Sequence, residues 1–217
     1  MNAAERRAKI LDEIATAAKV ARREPSDVEL IAVSKTRSID AIEELIAEGQ
    51  AAFGESRVQE ALEKWPTLLD RNPGVRLHCI GRLQSNKAAE AVSIFDTIHS
   101  VDRQSLLDAL IRESEKAGRG PAVYVQVNIG EEEQKGGCAI GEVGALVAAV
   151  RESSLPLAGL MAIPPLGVEP APFFALLSKV AVDHDVDGLS MGMSGDFKSA
   201  VMLGATAVRI GTALFED

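Results

Sequence analysis

What most restricts the fold of this chain is the regularity with which short apolar runs alternate with helical patterns. After an opening helix over about residues 3–22, eight runs of strand type follow. They are VELIAVS (28–34), AAFG (51–54), VRLHCIG (75–81), FDTIHS (95–100), AVYVQVN (122–128), LAGLMAI (157–163), DGLSMG (187–192) and AVRIG (207–211). The segments between them, such as SIDAIEELIAEGQ and DRQSLLDALIRESEKAG, carry helical spacing. In the first, Ile39, Ile42, Leu45 and Ile46 make the stripe of a helix lying on a sheet, with Ser38 as N-cap and Gly49 as stop. Strict alternation implies parallel strands joined by right-handed crossovers. Eight repeats in a chain of 217 residues fit a closed barrel better than an open doubly wound sheet, and no G-x-G-x-x-G follows the first strand. The proline-rich stretch 163–172 fits one loop after the sixth strand, and no linker divides the chain. The expected fold is α/β: one domain over 1–217, a (β/α)8 TIM-type barrel with an extra N-terminal helix.

Composition restricts the partners. A net charge of −9 argues against nucleic acid or an anionic membrane as the main partner, although it leaves room for a local basic pocket. The opening stretch MNAAERRAKILDEIATAAKVARR is charged throughout and lacks the apolar core of a signal peptide. No run approaches the roughly 18 apolar residues of a membrane span. Cys79 and Cys138 are far apart and His78, His99 and His184 show no metal-ligand spacing, so free thiols, no metal site and a cytoplasmic location are expected.

In a barrel of this kind the site is built at the carboxyl ends of the strands. Lys35 stands where the first apolar run surfaces. At the seventh strand end, Met193-Ser194-Gly195 precedes a helical run over 196–204, and Gly211-Thr212 directly follows the eighth strand. Backbone N–H groups there can hold a phosphate, aided by hydroxyls; an N-cap serine and a tight turn are the plain alternative. Arg209 lies inside a short apolar strand and needs a partner. By spacing, an ion pair with a strand-end carboxylate is the expectation and a ligand acceptor the alternative. A lysine amine beside a phosphate site suits either a phosphorylated keto or aldehyde substrate or pyridoxal phosphate. Lys87, Lys135 and Lys198 also lie near strand ends, where solvated surface charge is the expectation.

The motifs LIAVSKTRSIDAI, FGESRVQEA, LHCIGRLQSNK, IHSVDR, VQVNIGEEEQKGG, GLMAIPP, LSMGMSGDF and VRIGTALF span the whole chain in order. In that order they resemble the pyridoxal phosphate homeostasis proteins, single-domain relatives of the alanine racemase N-terminal barrel. The resemblance implies a barrel binding pyridoxal 5'-phosphate as a Schiff base on Lys35. Ser194, Gly195, Gly211 and Thr212 would hold the phosphate, with Met193 and Ser56 beside the cofactor and Arg209 approaching the pyridine nitrogen. It implies a role in vitamin B6 and amino-acid homeostasis without established turnover, hence no catalytic residues. Pyridoxal-phosphate-dependent apoenzymes are the implied partners, and a monomer is the default.

The alternative is a pyridoxal-phosphate-dependent racemase-type enzyme. Racemisation needs a second acid–base group, which the racemase supplies from a second domain absent in a chain of this length. The one tyrosine, Tyr124, lies four residues before the expected end of its strand, about 13 Å down the barrel at ~3.3 Å per residue. The chain departs from the family pattern at Ser56, where asparagine is usual, at Cys79, where phenylalanine is common, and at Glu216, where glycine is common.

Overall fold

The computed structural model describes residues 1–215; Glu216 lies outside them. Eight parallel strands close into a barrel in chain order: β1 (Glu29–Val33), β2 (Ala52–Glu55), β3 (Arg76–Cys79), β4 (Thr97–Val101), β5 (Ala122–Gln126), β6 (Leu157–Met161), β7 (Leu189–Ser190) and β8 (Ala207–Ile210). Closure comes from β1 pairing with β8, in a register that sets Ile31 beside Arg209 and Ala32 beside Ile210. Around the barrel run α1 (Ala3–Val20), α2 (Ile39–Ala47), α3 (Val58–Lys64), α4 (Pro66–Arg71), α5 (Ala88–Ile94), α6 (Gln104–Ala117), α7 (Val143–Arg151), α8 (Ala171–Asp183) and α9 (Phe197–Met202).

The local logic of the sequence holds with adjustments. Ser38 caps α2 by accepting the Ala41 N–H at 3.3 Å. Gly49, in the left-handed region, ends the helix. Of the expected stripe, Ile42 and Leu45 are buried and Ile46 is partly buried, whereas Ile39, on the first turn, stands in solvent. Apart from β2, the strands are shorter than their apolar runs, β7 most of all. There the chain leaves regular geometry at Gly192, whose φ is +96°.

The extra helix α1 opens with a capping box between Asn2 and Glu5 and lays Ile10, Ile14, Ala17 and Ala18 against α9 and α2. Arg23, just beyond it, donates to the carbonyls of Val201 and Ala205 at 3.1 and 2.8 Å. The first helix thus braces the segment that leads into β8.

Most of the apolar core lies between strands and helices, where Leu30, Ala32, Val208 and Ile210 point outward. The interior of the barrel is different. Ile31, Ala52 and Ala207 form a small apolar cluster, and the other inward positions include the buried polar residues His78, His99, Ser190 and Arg209. No helix among the described residues is long and apolar enough to cross a membrane.

Candidate functional site

Lys35 hangs from a braced turn. Before it, Ser34 is buried; its N–H reaches the Gly54 carbonyl at 3.0 Å and its hydroxyl donates to Glu55 Oε1 at 2.7 Å. After it, Thr36 adopts a φ of +60°, its N–H donating to Glu60 Oε1 at 2.6 Å. Glu55 is itself fully buried and gathers three donors on Oε1: Ser34, the Trp65 indole at 2.9 Å and Lys64 Nζ at 2.7 Å. Lys64 also donates to the Ser34 carbonyl at 2.9 Å. The Lys35 side chain, by contrast, is exposed, and among the described residues its amine has no hydrogen-bond or ion-pair partner. Two lysines near one strand end are thereby divided: Lys64 is consumed by structure and Lys35 is left over.

A cavity of about 380 Å³ at the carboxyl ends of the strands brings every residue expected at the site together. Lys35 and Ser56 come from the first two strand ends, Met193, Ser194 and Gly195 from the seventh, and Arg209, Gly211 and Thr212 from the eighth. Val33, Ile80 and Ile163 supply apolar walls, and among the described residues no carboxylate lines the cavity. Ser56 is held close to β3: a Cβ on Gly81 would stand 2.1 Å from the Ser56 carbonyl oxygen, so only glycine admits this approach.

The seventh strand end differs from its expectation. The helix begins at Phe197, and a turn closed by Asp196 presents Ser194 and Gly195. Asp196 Oδ1 accepts the Met193 N–H at 2.6 Å, while the Asp196 and Phe197 N–H groups donate to the Met193 carbonyl at 3.0 and 2.9 Å. Nothing lies within 4 Å of where a Cβ on Gly195 would sit, so that backbone is open to a ligand, whereas a Cβ on Gly211 would rest in van der Waals contact with Val33 at 3.5 Å.

Arg209 corrects the ion-pair expectation. It is 4% exposed and donates from Nη1 to Ser190 Oγ at 2.5 Å and from Nη2 to the Ala162 carbonyl at 3.1 Å; among the described residues no carboxylate pairs with it. Burial lowers its pKa to about 10, and at neutral pH it remains a cation. No carboxylate of the described residues lies within ion-pair distance of it, although the charge of Asp196 favours its cationic form.

Below it runs a chain of buried side chains. Ser190 Oγ meets His99 Nδ1 at 2.8 Å, and His99 Nε2 meets His78 Nδ1 at 2.9 Å. Arg209 can only donate, so Ser190 Oγ accepts from it; with the Ser190 proton on the His99 Nδ1 side, His99 would donate through Nε2 to His78. Burial first, then the neighbouring charges of His78 and Arg209, hold His99 well below its ordinary pKa; burial also lowers His78. Both rings are neutral. His78 Nε2 lies 3.8 Å from Glu29 Oε2 at the opposite end of the barrel. Both histidines are strand residues in hydrogen bonds.

Tyr124 stacks on His99 with ring centroids 4.4 Å apart. Because β5 ends at Gln126, Tyr124 is nearer the end of its strand than expected. Its hydroxyl nevertheless lies by Thr206 and Glu29, at the amino ends of β8 and β1, and burial pushes its pKa up to about 12. It faces away from Lys35. The remaining lysines divide: Lys87 pairs with Glu90 at 3.0 Å and Lys198 with Glu13 at 3.3 Å on the surface. Lys135 is half-buried, pairs with Glu132 at 2.5 Å and donates to the Pro164 carbonyl at 3.2 Å, so it is not a solvated charge. Cys79 and Cys138 are free and buried, and burial raises both thiols to about 12.

Sequence reasoning missed Asp196, Ser190 and the Glu55–Lys64–Trp65 cluster. A glutamate closing the apolar run AFGE was the one signal for the last.

The closed parallel barrel, with a lysine after β1 and loops after β7 and β8 meeting in one cavity, is the frame in which the relatives are compared. A family model described as "Alanine racemase, N-terminal domain" matches residues 8–217. The pyridoxal phosphate homeostasis protein of Pseudomonas aeruginosa is 44% identical over 98% of this chain and 94% of its own length. That of Escherichia coli K12 is 39% identical over 96% and 93%. Among solved structures, PipY of Synechococcus elongatus PCC7942 with PLP bound aligns at a TM-score of 0.82 and 39% identity, covering 93% of this chain and 99% of PipY. The chain belongs to the pyridoxal phosphate homeostasis protein family.

Proposed function

We propose that this chain binds pyridoxal 5'-phosphate as a Schiff base on Lys35 and serves vitamin B6 and amino-acid homeostasis as a carrier without catalytic turnover. The observation that carries this reading is the pairing, in one cavity with no carboxylate of the described residues in its lining, of a lysine amine without a partner among them and a buried arginine with none of their carboxylates within ion-pair distance. A cavity of about 380 Å³ is within the usual range of roughly 300–1,000 Å³ for small-molecule sites. PipY, 39% identical, has been solved with PLP bound, which supports the same ligand here.

When bound, the cofactor supplies an aldehyde carbon for an amine and an electron-withdrawing ring. The Lys35 amine is the tether. The hydroxyls of Ser194 and Thr212 and the backbones of Gly195 and Gly211 are the phosphate donors, with Met193 and Ser56 flanking the ring. Arg209 is the residue for the ring nitrogen; a fixed cation there disfavours protonation of that nitrogen and weakens the ring as an electron sink. No second acid–base group is offered by Tyr124, whose hydroxyl lies at the far end of the barrel. The recipients are apoenzymes that need the cofactor, reached from a cytoplasmic, monomeric carrier built of one domain.

The test is the visible absorbance of the purified protein with added cofactor, followed by borohydride reduction and peptide mapping. The expected result is a yellow protein with the reduced adduct on Lys35, both lost in Lys35→Ala. A wild-type protein that stays colourless with excess cofactor would overturn the reading. Exchange of the alanine or serine Cα hydrogen in D₂O above the free-cofactor rate would replace the carrier with the racemase-type enzyme.

A further inference from the structure

Next to the cavity that holds Lys35, and sharing Ser56 with it, lies a larger one of about 600 Å³. Its lining includes Arg57, Arg82, Lys87 and Arg103 and no carboxylate, in a chain with 32 acidic and 23 basic residues. The cations differ in what they already hold. Arg103 is fixed by Asp102, the Leu83 carbonyl and Ser85 Oγ. Lys87 is paired with Glu90 at 3.0 Å. The guanidinium groups of Arg57 and Arg82 have no hydrogen-bond or ion-pair partner among the described residues.

We propose that this cavity is a second ligand site, for a small organic phosphate, with Arg57 and Arg82 as its anion-binding pair. Two guanidiniums without an ion-pair partner among the described residues, Arg57 feeling only the more distant charge of Glu60, present planar forks of donors that suit a phosphomonoester dianion better than a single carboxylate. The buried Val58 and Leu83 add apolar atoms to the lining, which gives the organic body of such a ligand somewhere to pack. The volume is that of a small-molecule site, and its concavity favours a compact ligand over an extended acidic chain. Arg103 and Ser85, already bonded to each other, form a preset wall that needs no reordering on binding. The shared Ser56 means that a ligand here touches the rim of the first cavity, yet the inference does not depend on how Lys35 is used.

The test uses phenyl phosphate as the probe, titrated into the full chain after cofactor has been fixed with borohydride, with ¹⁵N signals read at Arg57 and Arg82 Nε. The expected result is saturable shifts at both arginines, at least tenfold weaker binding in an R57Q/R82Q double variant, and tighter binding of phenyl phosphate than of inorganic phosphate. A Lys pair at the same positions should restore part of the affinity. Both side chains are exposed, so the variants should keep the wild-type far-ultraviolet circular dichroism. Equal binding by wild type and double variant, no saturation at 10 mM probe (about −2.7 kcal/mol or weaker as a binding free energy), or no preference over inorganic phosphate would each overturn the proposal. So would binding of an acidic peptide but not of phenyl phosphate. If borohydride leaves no adduct on Lys35, the carrier reading fails by itself. The titration is then run on the untreated chain, with the Ser194 and Thr212 amides reporting the first cavity and Arg57 and Arg82 the second; shifts confined to the amides would overturn the second site.

Discussion

Lys64 meets Glu55 across 2.7 Å where their side chains are 9% and 0% exposed, and the same carboxylate oxygen holds Ser34 and Trp65. Removing one member of a buried pair strands the other, at a cost of about 3–5 kcal/mol. Lys64→Met should therefore lower the urea midpoint of unfolding by that order, followed through the fluorescence of Trp65, the chain's one tryptophan. A loss below about 1 kcal/mol, the range of exposed ion pairs, would show that the pair is not buried in solution. Gly192 is the other residue on which the site depends. A Cβ there would lie 2.6 Å from the Ala200 Cβ and 3.0 Å from the Phe197 Cα, on a backbone at φ +96°. Gly192→Ala should cost about 1–3 kcal/mol by overpacking and strain and should shift the Met193–Gly195 turn, seen as weakened cofactor affinity in an absorbance titration.

At the scale of elements, β3, β4, β7 and β8 each turn one polar side chain into the barrel, and the four join into one hydrogen-bonded column. Its pH dependence has a definite sign. Both histidines have folded pKa values below their ordinary 6.5, so below pH 6.5 the unfolded chain takes up protons that the folded chain refuses. Stability is complete above 6.5 and is lost as pH falls from there toward the folded values. Between pH 7.5 and 5.5 the unfolding free energy should drop, by at most about 2.7 kcal/mol for the two groups together if neither is protonated in the folded chain. Glu29, the carboxylate beside His78, opposes part of this by favouring a protonated ring. Urea unfolding at the two pH values checks it, and a His78→Gln/His99→Gln variant should show a flatter dependence even if less stable overall.

At the scale of the whole molecule, closure of β1 on β8 makes neighbours of the chain's first and last strand ends. That is what sets Lys35 in the same cavity as Gly211 and Thr212. The N-terminal helix supports this seam, with Ile14 1% exposed and α1 packed on α9. Ile14→Ala should cost about 2–5 kcal/mol, read from the urea midpoint. A surface-like loss of under 0.5 kcal/mol would mean that α1 is an appendage and not part of the fold.

By itself the sequence determined the class of fold and named a candidate place for the site. Periodicity is a local property, so eight alternations were enough to imply parallel strands, and barrel topology then assigned function to the strand ends where Lys35, Ser194 and Thr212 stand. Tertiary structure alone decided which charged groups were engaged. Nothing local separates Lys64, at the end of a helix, from Lys35, at the end of a strand, yet one is locked to Glu55 and the other has no partner among the described residues. Arg209 was expected to find a carboxylate and instead tops a neutral column of Ser190, His99 and His78. The reason is physical: a side chain's charge partners come from strands distant in sequence, and only the register and closure of the barrel fix which groups meet.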